Sequence, residues 1–415
     1  MCLAIEAERS PVGANPAMLS LLRRNGEFRR LYLAHGISRA GDAFNTIAVI
    51  VLAFTLTGSG RGVTGAVIFE VLPVLLIGPV AGMAADRLPR RRLMVGADAI
   101  RAGAAGILIV ATGSLPVLFA VAFTLSAAAT VFNPAAASML PDVVRDDDLI
   151  AANSALWTAA VVAQIVVAPI AGVIIAAGGI RIAFAINAAS FVISALLLIG
   201  LNAGRSAATI HVRGWRGALG GYFAVRANPL LRRLAIVQVL ASMSAGATSG
   251  LLVVLADRRL GVGPGGFAAL LAAIGVGAAI GPVLLRRYVR AGDHRWLFCP
   301  YLVRGGVDIT LATVANPLVA GSALVVYGMS TSTGMVAYQS TLQSAVTPDT
   351  RGRAFAFFDI VWNTARLISL VIGGVLADQL DVRLVYLAAA VPLVAAAVVG
   401  LTTNLDDVAN EAPTG

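Results

Sequence analysis

The chain has 415 residues, 58% hydrophobic and only 13% charged, with 31 basic and 21 acidic side chains and a formal net charge of +10. Soluble domains carry roughly 25% charged residues, so this composition excludes a water-soluble fold. Long apolar runs recur from Leu31 to Leu401, and about 18 such residues suffice to cross the hydrocarbon core as a helix.

Twelve spans are predicted in chain order, at residues 31–57, 63–84, 93–113, 115–138, 153–177, 181–201, 234–256, 264–285, 296–315, 318–340, 354–378 and 383–402. A transmembrane barrel requires alternating strands of about ten residues. Ile47 to Thr57 and Val161 to Ala177 are instead apolar at consecutive positions. The fold class is therefore an all-α polytopic membrane protein. Spans of about twenty residues leave only short loops and no room for a soluble catalytic domain. Residues 1–30 form a polar tail without the apolar core and small-residue cleavage site of a signal peptide. The expected organisation is this tail, a six-helix bundle at 31–201, a linker at 202–233, a second six-helix bundle at 234–402 and a short tail at 403–415.

Every basic residue is an arginine. With the N-terminus inside, 22 of them fall in cytoplasmic segments. Arg61, Arg181, Arg258, Arg259 and Arg383 fall outside, while Arg39, Arg101, Arg304 and Arg366 lie within spans. The positive-inside rule then places both termini in the cytoplasm, in the cell membrane. The same distribution removes nucleic acid as a partner, because the arginines are spread over the inner loops rather than gathered in a stripe with aromatics. Cys2 and Cys299 suggest neither a disulfide framework nor a metal cluster. No Walker A loop, dinucleotide fingerprint, HExxH or CxxC is present, so neither a cofactor, a metal, ATP drive nor enzyme chemistry is expected.

Three landmarks repeat between the halves. Ile77-Gly78-Pro79-Val80 recurs as Ile280-Gly281-Pro282-Val283, and Pro141-Asp142 as Pro348-Asp349, each of these pairs followed by a tryptophan, Trp157 or Trp362. The third and ninth spans each hold an acid and an arginine about a turn apart, Asp98 with Arg101 and Arg304 with Asp308. Parallel halves related by an axis along the membrane normal are one established transporter architecture.

Between spans two and three, Gly82-Met83-Ala84-Ala85-Asp86-Arg87-Leu88-Pro89-Arg90-Arg91-Arg92 resembles motif A of the major facilitator superfamily. Gly82, Asp86, Arg87, Arg90 and Arg91 match it, while Ala84 and Pro89 replace the usual Leu and Gly. The second half has Val289 where the acid would be, so a conformational gate is expected on the first half only. Span five, aligned on Pro169, keeps the Pro and Gly172 of the motif C of drug and proton antiporters, but has Ala155, Gln164, Ala168 and Val173 elsewhere. The stretches from Leu140 to Asn153 and from Thr347 to Arg353 resemble the macrolide- and siderophore-efflux branch. The resemblance implies a secondary transporter with a midplane cavity, exchanging protons for a small amphiphilic molecule. Proton-coupled import of a metabolite is the alternative, and a non-transporting receptor or scaffold a third reading.

Ionisable side chains within a span cost about 2.5–3.5 kcal/mol on insertion scales and need a partner, water or a task. Asp42 lies eleven residues into span one, roughly 16 Å along the helix and near the midplane. Arg39, three residues earlier, shares its face and is its expected partner, either as a proton-coupling pair or as a permanent structural one. Glu70, near the outer end of span two, can meet substrate or snorkel to outside water. Asp98 with Arg101 and Arg304 with Asp308 are expected structural pairs. Asp359, near the inner end of span eleven, is the expected partner of the motif A basic cluster. Gln164, Gln238, Gln339, Gln343 and Asn363 lie in spans that face the cavity in the resembled family. They are candidate substrate contacts or interhelical bonds. His35 is read as interfacial, and Asp146 to Asp148 as a solvated loop that opens span five. The expected partners are thus a small-molecule substrate, protons and the lipid bilayer, with no obligatory protein partner inferred.

Overall fold

The computed structural model describes residues 16–201, 222–223, 225–288, 295–346 and 348–401. All spans are helical, and no strand occurs among the described residues. The first four are Gly26–Thr57, Gly60–Arg87, Arg90–Val110 and Leu115–Val143. Span five is built from Leu149–Val162 and Ala168–Gly178 joined by a π-turn at Ala163–Val167, and span six is Ile180–Ile199. Span seven is Pro229–Gly250 continued by Leu252–Arg258. The last five are Gly263–Tyr288, Arg295–Thr313, Pro317–Ala345, Pro348–Gln379 and Val382–Leu401. Eight of the described helices are each long and apolar enough to cross a membrane.

The local chemistry sets several of these boundaries. Gly58 ends span one with φ 59°, donating its N–H to the Phe54 carbonyl at 2.7 Å, a left-handed cap that glycine adopts without a Cβ penalty. In span five Pro169 has no N–H to offer the preceding turn, and the ladder loosens into the π-turn just before it. The first span starts earlier than its apolar run. Its helix begins at Gly26, where the Asn25 side chain accepts from Phe28 N at 2.9 Å, and a short helix, Pro16–Arg24, precedes it. Leu21 and Phe28 are buried beneath these turns, so residues 16–30 belong to the packed structure rather than to a free tail. Span seven likewise begins inside the expected linker. Residues 202–221 of that linker, and the tail beyond 401, lie outside the described residues.

Helix pairings repeat six spans apart. Spans one and six, two and four, three and four, and three and six pack together in the first half. Spans seven and twelve, eight and ten, nine and ten, and nine and twelve do so in the second. This is the parallel repeat of two six-helix bundles. Small residues allow the closest approaches: a Cβ on Gly277 or Gly328 would run into the backbone of the facing helix in the eighth–tenth pair. Gly277→Leu is therefore expected to lower thermal stability in detergent, since overpacking costs about 1–3 kcal/mol. An unchanged melting temperature would contradict that packing.

The core shows how the halves meet. At the end holding the loops after spans one, seven and eleven, one hydrophobic cluster runs across both halves, from Ile47 and Val67 to Leu252, Leu270 and Leu370. Toward the arginine-rich loops it gives way to two separate clusters, one around Phe28, Met94, Phe132 and Met139, the other around Leu234, Phe298, Phe358 and Leu393. The halves are joined by spans two with eleven and five with eight, the two pairs related by the repeat. Among the described residues the apolar packing is thus continuous between the halves at one end and parted at the other.

Candidate functional site

Near the middle of the first half, Arg101 of span three is almost wholly buried, and its guanidinium serves two carboxylates from two helices. One terminal nitrogen donates to Ser38 Oγ at 2.8 Å and to Asp98 Oδ1 at 3.2 Å. The other donates to Asp42 Oδ1 of span one. The guanidinium carbon sits 3.9 Å from the centroid of the Phe191 ring of span six, with Phe132 on another side, a cation–π cradle suited to a desolvated arginine. Asp98 is fully buried, and its Oδ2 has no hydrogen-bond partner among the described residues. Asp42 differs, being a third exposed.

The expected Arg39–Asp42 pair is present at the edge of ion-pair distance, and the structure adds a closer partner. Arg39 approaches Asp42 only to 4.0 Å, and Arg101 is its close partner. Sequence spacing shows neighbours on one helix; it cannot show that span three turns its arginine toward span one. The expected coupling pair and the expected structural pair are therefore one network.

Among the described residues the second half shows no equivalent ion pairs. Arg304 donates to the Tyr327 hydroxyl at 3.2 Å and lies over its ring. Asp308 instead accepts from Ser244 and Thr248 of span seven, each at 3.1 Å. No ion pair joins Arg304 to Asp308 among the described residues, because each finds a nearer polar partner on a neighbouring helix. Ala245 follows Ser244 on span seven, so that face carries hydroxyls but no carboxylate comparable with Asp42.

The sealed end is held by Asp378, the penultimate residue of span eleven's helix. It accepts from Ser59 Oγ and from the backbone N–H groups of Gly60 and Arg61, all at 2.9 Å. These donors form the N-terminus of span two, where a carboxylate offsets unpaired N–H groups and the helix dipole. Arg258 at the end of span seven donates to Asp378 at 3.1 Å and to the Gly58 carbonyl at 2.7 Å. Just beneath, Gly60 lies against Gly374, and Thr64 donates to the Leu370 carbonyl at 3.0 Å. Sequence reading missed Asp378, and Ser59-Gly60 as a helix start was the one signal available for it.

Comparison with known proteins decides the family. The profile of the Major Facilitator Superfamily matches two stretches that together cover most of the chain, residues 31–368 and 234–414. The chain belongs to the Major Facilitator Superfamily. It is similar to the uncharacterized MFS-type transporter YfiS of Bacillus subtilis (strain 168), 26% identical over 391 residues, spanning 88% of this chain and 90% of that protein. It is also 28% identical to macrolide efflux protein A of Streptococcus pyogenes over 127 residues, 30% of this chain and 31% of that one. Among solved structures, a bacterial homologue of the iron transporter ferroportin in its inward-facing state superposes with TM-score 0.69, 18% identity, and 92% and 98% coverage. The nucleoside transporter NupG gives TM-score 0.67 at 15% identity, over 90% of this chain and 98% of its own. These likenesses establish the superfamily fold. The protein is a multi-pass membrane transporter rather than an enzyme.

Superfamily motif A is only partly described, since the side chains of Gly82, Asp86 and Arg87 lie outside the described residues. Among the described residues, Arg90 and Arg91 of its basic cluster bond within the first half and not to Asp359. Arg90 is buried and pairs with Asp142 at 2.6 Å, and Arg91 donates to the Leu201 carbonyl at 2.7 Å, both within the first half. Asp359 is exposed on the second half, on the far side of the parting. At the same end Arg24 pairs with Asp148, so the acidic run is tied to the short N-terminal helix. His35 is buried and stacked on Phe132 rather than interfacial. Of the amides, Gln238 is partly exposed, and Asn363 donates to its own helix at the Asp359 carbonyl, 2.9 Å away. The side chains of Gln164, Gln339 and Gln343 lie outside the described residues.

Proposed function

We propose that the protein is a proton-coupled exporter of a small amphiphilic molecule in the cell membrane, with both termini cytoplasmic, working by alternating access. The observation that carries the reading is the unequal exposure of two carboxylates sharing one arginine. Asp42 is open enough to exchange protons, whereas Asp98 is sealed and retains an unoccupied oxygen. Protonating Asp42 removes its hold on Arg101, which then leans wholly on Asp98, and spans one and three shift relative to each other. Among the described residues no arginine of the second half bridges two carboxylates as Arg101 does, so proton coupling is assigned to the first half. With the arginine-rich loops in the cytoplasm, the parted end faces inward and the Asp378 end is the closed outer seal. In this cycle the described state is the one that admits substrate from the cytoplasm with Asp42 ionised. Asp42 takes a proton after the outer seal opens, as substrate leaves. Export is supported by the partial similarity to a macrolide efflux protein. Arg39 stands by as the weaker second cation near Asp42. Gly82, Asp86 and Arg87 complete the inner gate with Arg90 and Arg91.

The test is made in vesicles containing the purified protein, with an imposed pH gradient and a panel of fluorescent amphiphiles. Movement against the proton flux is expected in the unaltered protein, with at least a tenfold loss in Asp42→Asn at unchanged melting temperature. Undiminished pumping by Asp42→Asn removes that carboxylate from the mechanism. Movement in the same direction as protons makes the protein an importer.

A further inference from the structure

Directly inside the outer seal, two opposite charges from opposite halves remain unjoined. Spans two and eleven touch where Thr64 donates to the Leu370 carbonyl and Gly60 meets Gly374. Glu70 follows Thr64 by six residues and Arg366 precedes Leu370 by four, so both lie roughly 6–9 Å further in at 1.5 Å per residue. Both are partly exposed. Glu70 is held by the Thr46 hydroxyl of span one at 3.3 Å, and its backbone carbonyl accepts from Ser126 of span four. Arg366 is fixed through its helix, whose backbone abuts Gly246 of span seven so closely that no Cβ would fit there. Neither Glu70 nor Arg366 forms an ion pair among the described residues. Asp42 lies one turn before Thr46 on span one, which places a second carboxylate on the Glu70 side.

We propose that Glu70 and Arg366 form the two poles of the substrate site at the roof of the central space, and that its substrate is a zwitterion carrying an ammonium and a carboxylate group. This rests on the transport reading above but not on its direction or its coupling ion. A purely anionic ligand that reaches Arg366 meets the charges of Glu70 and Asp42. A purely cationic one that reaches Glu70 meets Arg366. A ligand bearing both charges satisfies both poles and, in doing so, bridges the two halves at the point from which they rock. Differential contact of this kind lets a ligand shift a conformational equilibrium.

The experiment is equilibrium binding to the purified full-length protein in detergent without a pH gradient, read by fluorescence. The probes are Nε-dansyl-lysine, its methyl ester and its Nα-acetyl derivative, which share one apolar body but are zwitterionic, cationic and anionic. The zwitterion is expected to bind at least tenfold more tightly than either. Glu70→Gln should abolish its advantage over the anion, and Arg366→Gln its advantage over the cation. Arg366→Lys should preserve part of the latter and controls for folding. Equal binding of the three probes, no saturable binding of any, or a preference that survives both Gln substitutions overturns the proposal. Because no gradient is involved, these outcomes are independent of whether Asp42 couples protons. Failure of proton-driven flux alone would leave the zwitterion site standing.

Discussion

Replacing Arg101 with methionine is expected to lower stability by about 3–5 kcal/mol, the usual cost of removing one partner from a buried ion pair. The lost guanidinium serves Asp98, Asp42 and Ser38 at once and fills the space against Phe191. Methionine replaces much of the apolar stem but leaves Asp98 charged, fully buried and without its cation. The measurement is thermal unfolding of the purified protein in detergent. The companion variant separates charge from packing: Asp98→Asn in the Arg101→Met background should recover a substantial part of the loss, because the uncompensated charge has gone. Asp42→Asn alone should cost far less, since Asp42 is a third exposed and water can serve its amide. Equal losses for Asp42→Asn and Arg101→Met would contradict the unequal burial on which the mechanism depends.

Asp378→Ala is expected to open the sealed end. Ser59, Gly60 and Arg61 lose their common acceptor, and Arg258 loses an ion pair that also steers it to the Gly58 carbonyl. These bonds join the two halves only while this end is closed, so their loss acts on the equilibrium between states. A hydrogen bond to a charged group is worth about 1.5–3 kcal/mol. The loss of even one such bond shifts a two-state population about ten- to hundredfold. Spin labels at Gly113→Cys and Leu318→Cys, in a background without Cys2 and Cys299, report the separation of the loop after span three from the first turn of span ten. The unaltered protein should give mainly the short distance and Asp378→Ala a dominant longer one. An identical distribution in both would show that the carboxylate does not hold the seal.

The spans were readable because each is a run of apolar residues bounded by glycine, proline or arginine. The repeat was readable because Ile77-Gly78 and Ile280-Gly281 fall at corresponding places on spans two and eight. Asp42 and Glu70 stood out as acids in oil. Their partners did not, because a partner on another helix depends on how far each helix is rotated about its axis. The Asp42–Arg101 contact crosses 59 residues and the Ser59–Asp378 bond 319. Arg39 was chosen for Asp42 because i,i+3 spacing is visible in a sequence, whereas the rotation of span three is not. Asp359 is expected beside the motif A cluster because both lie near the inner ends of their spans. In the described state that end is parted, and Arg90 has Asp142 within its own half instead.

Whether Asp42 couples protons is decided by comparing two modes of movement in the same vesicles. One is uphill accumulation driven by a pH gradient; the other is gradient-free exchange of labelled for unlabelled substrate. Asp42→Asn should retain exchange, because binding and rocking remain, and should lose accumulation, because no proton is carried. Accumulation that persists at the unaltered level in Asp42→Asn would contradict the account.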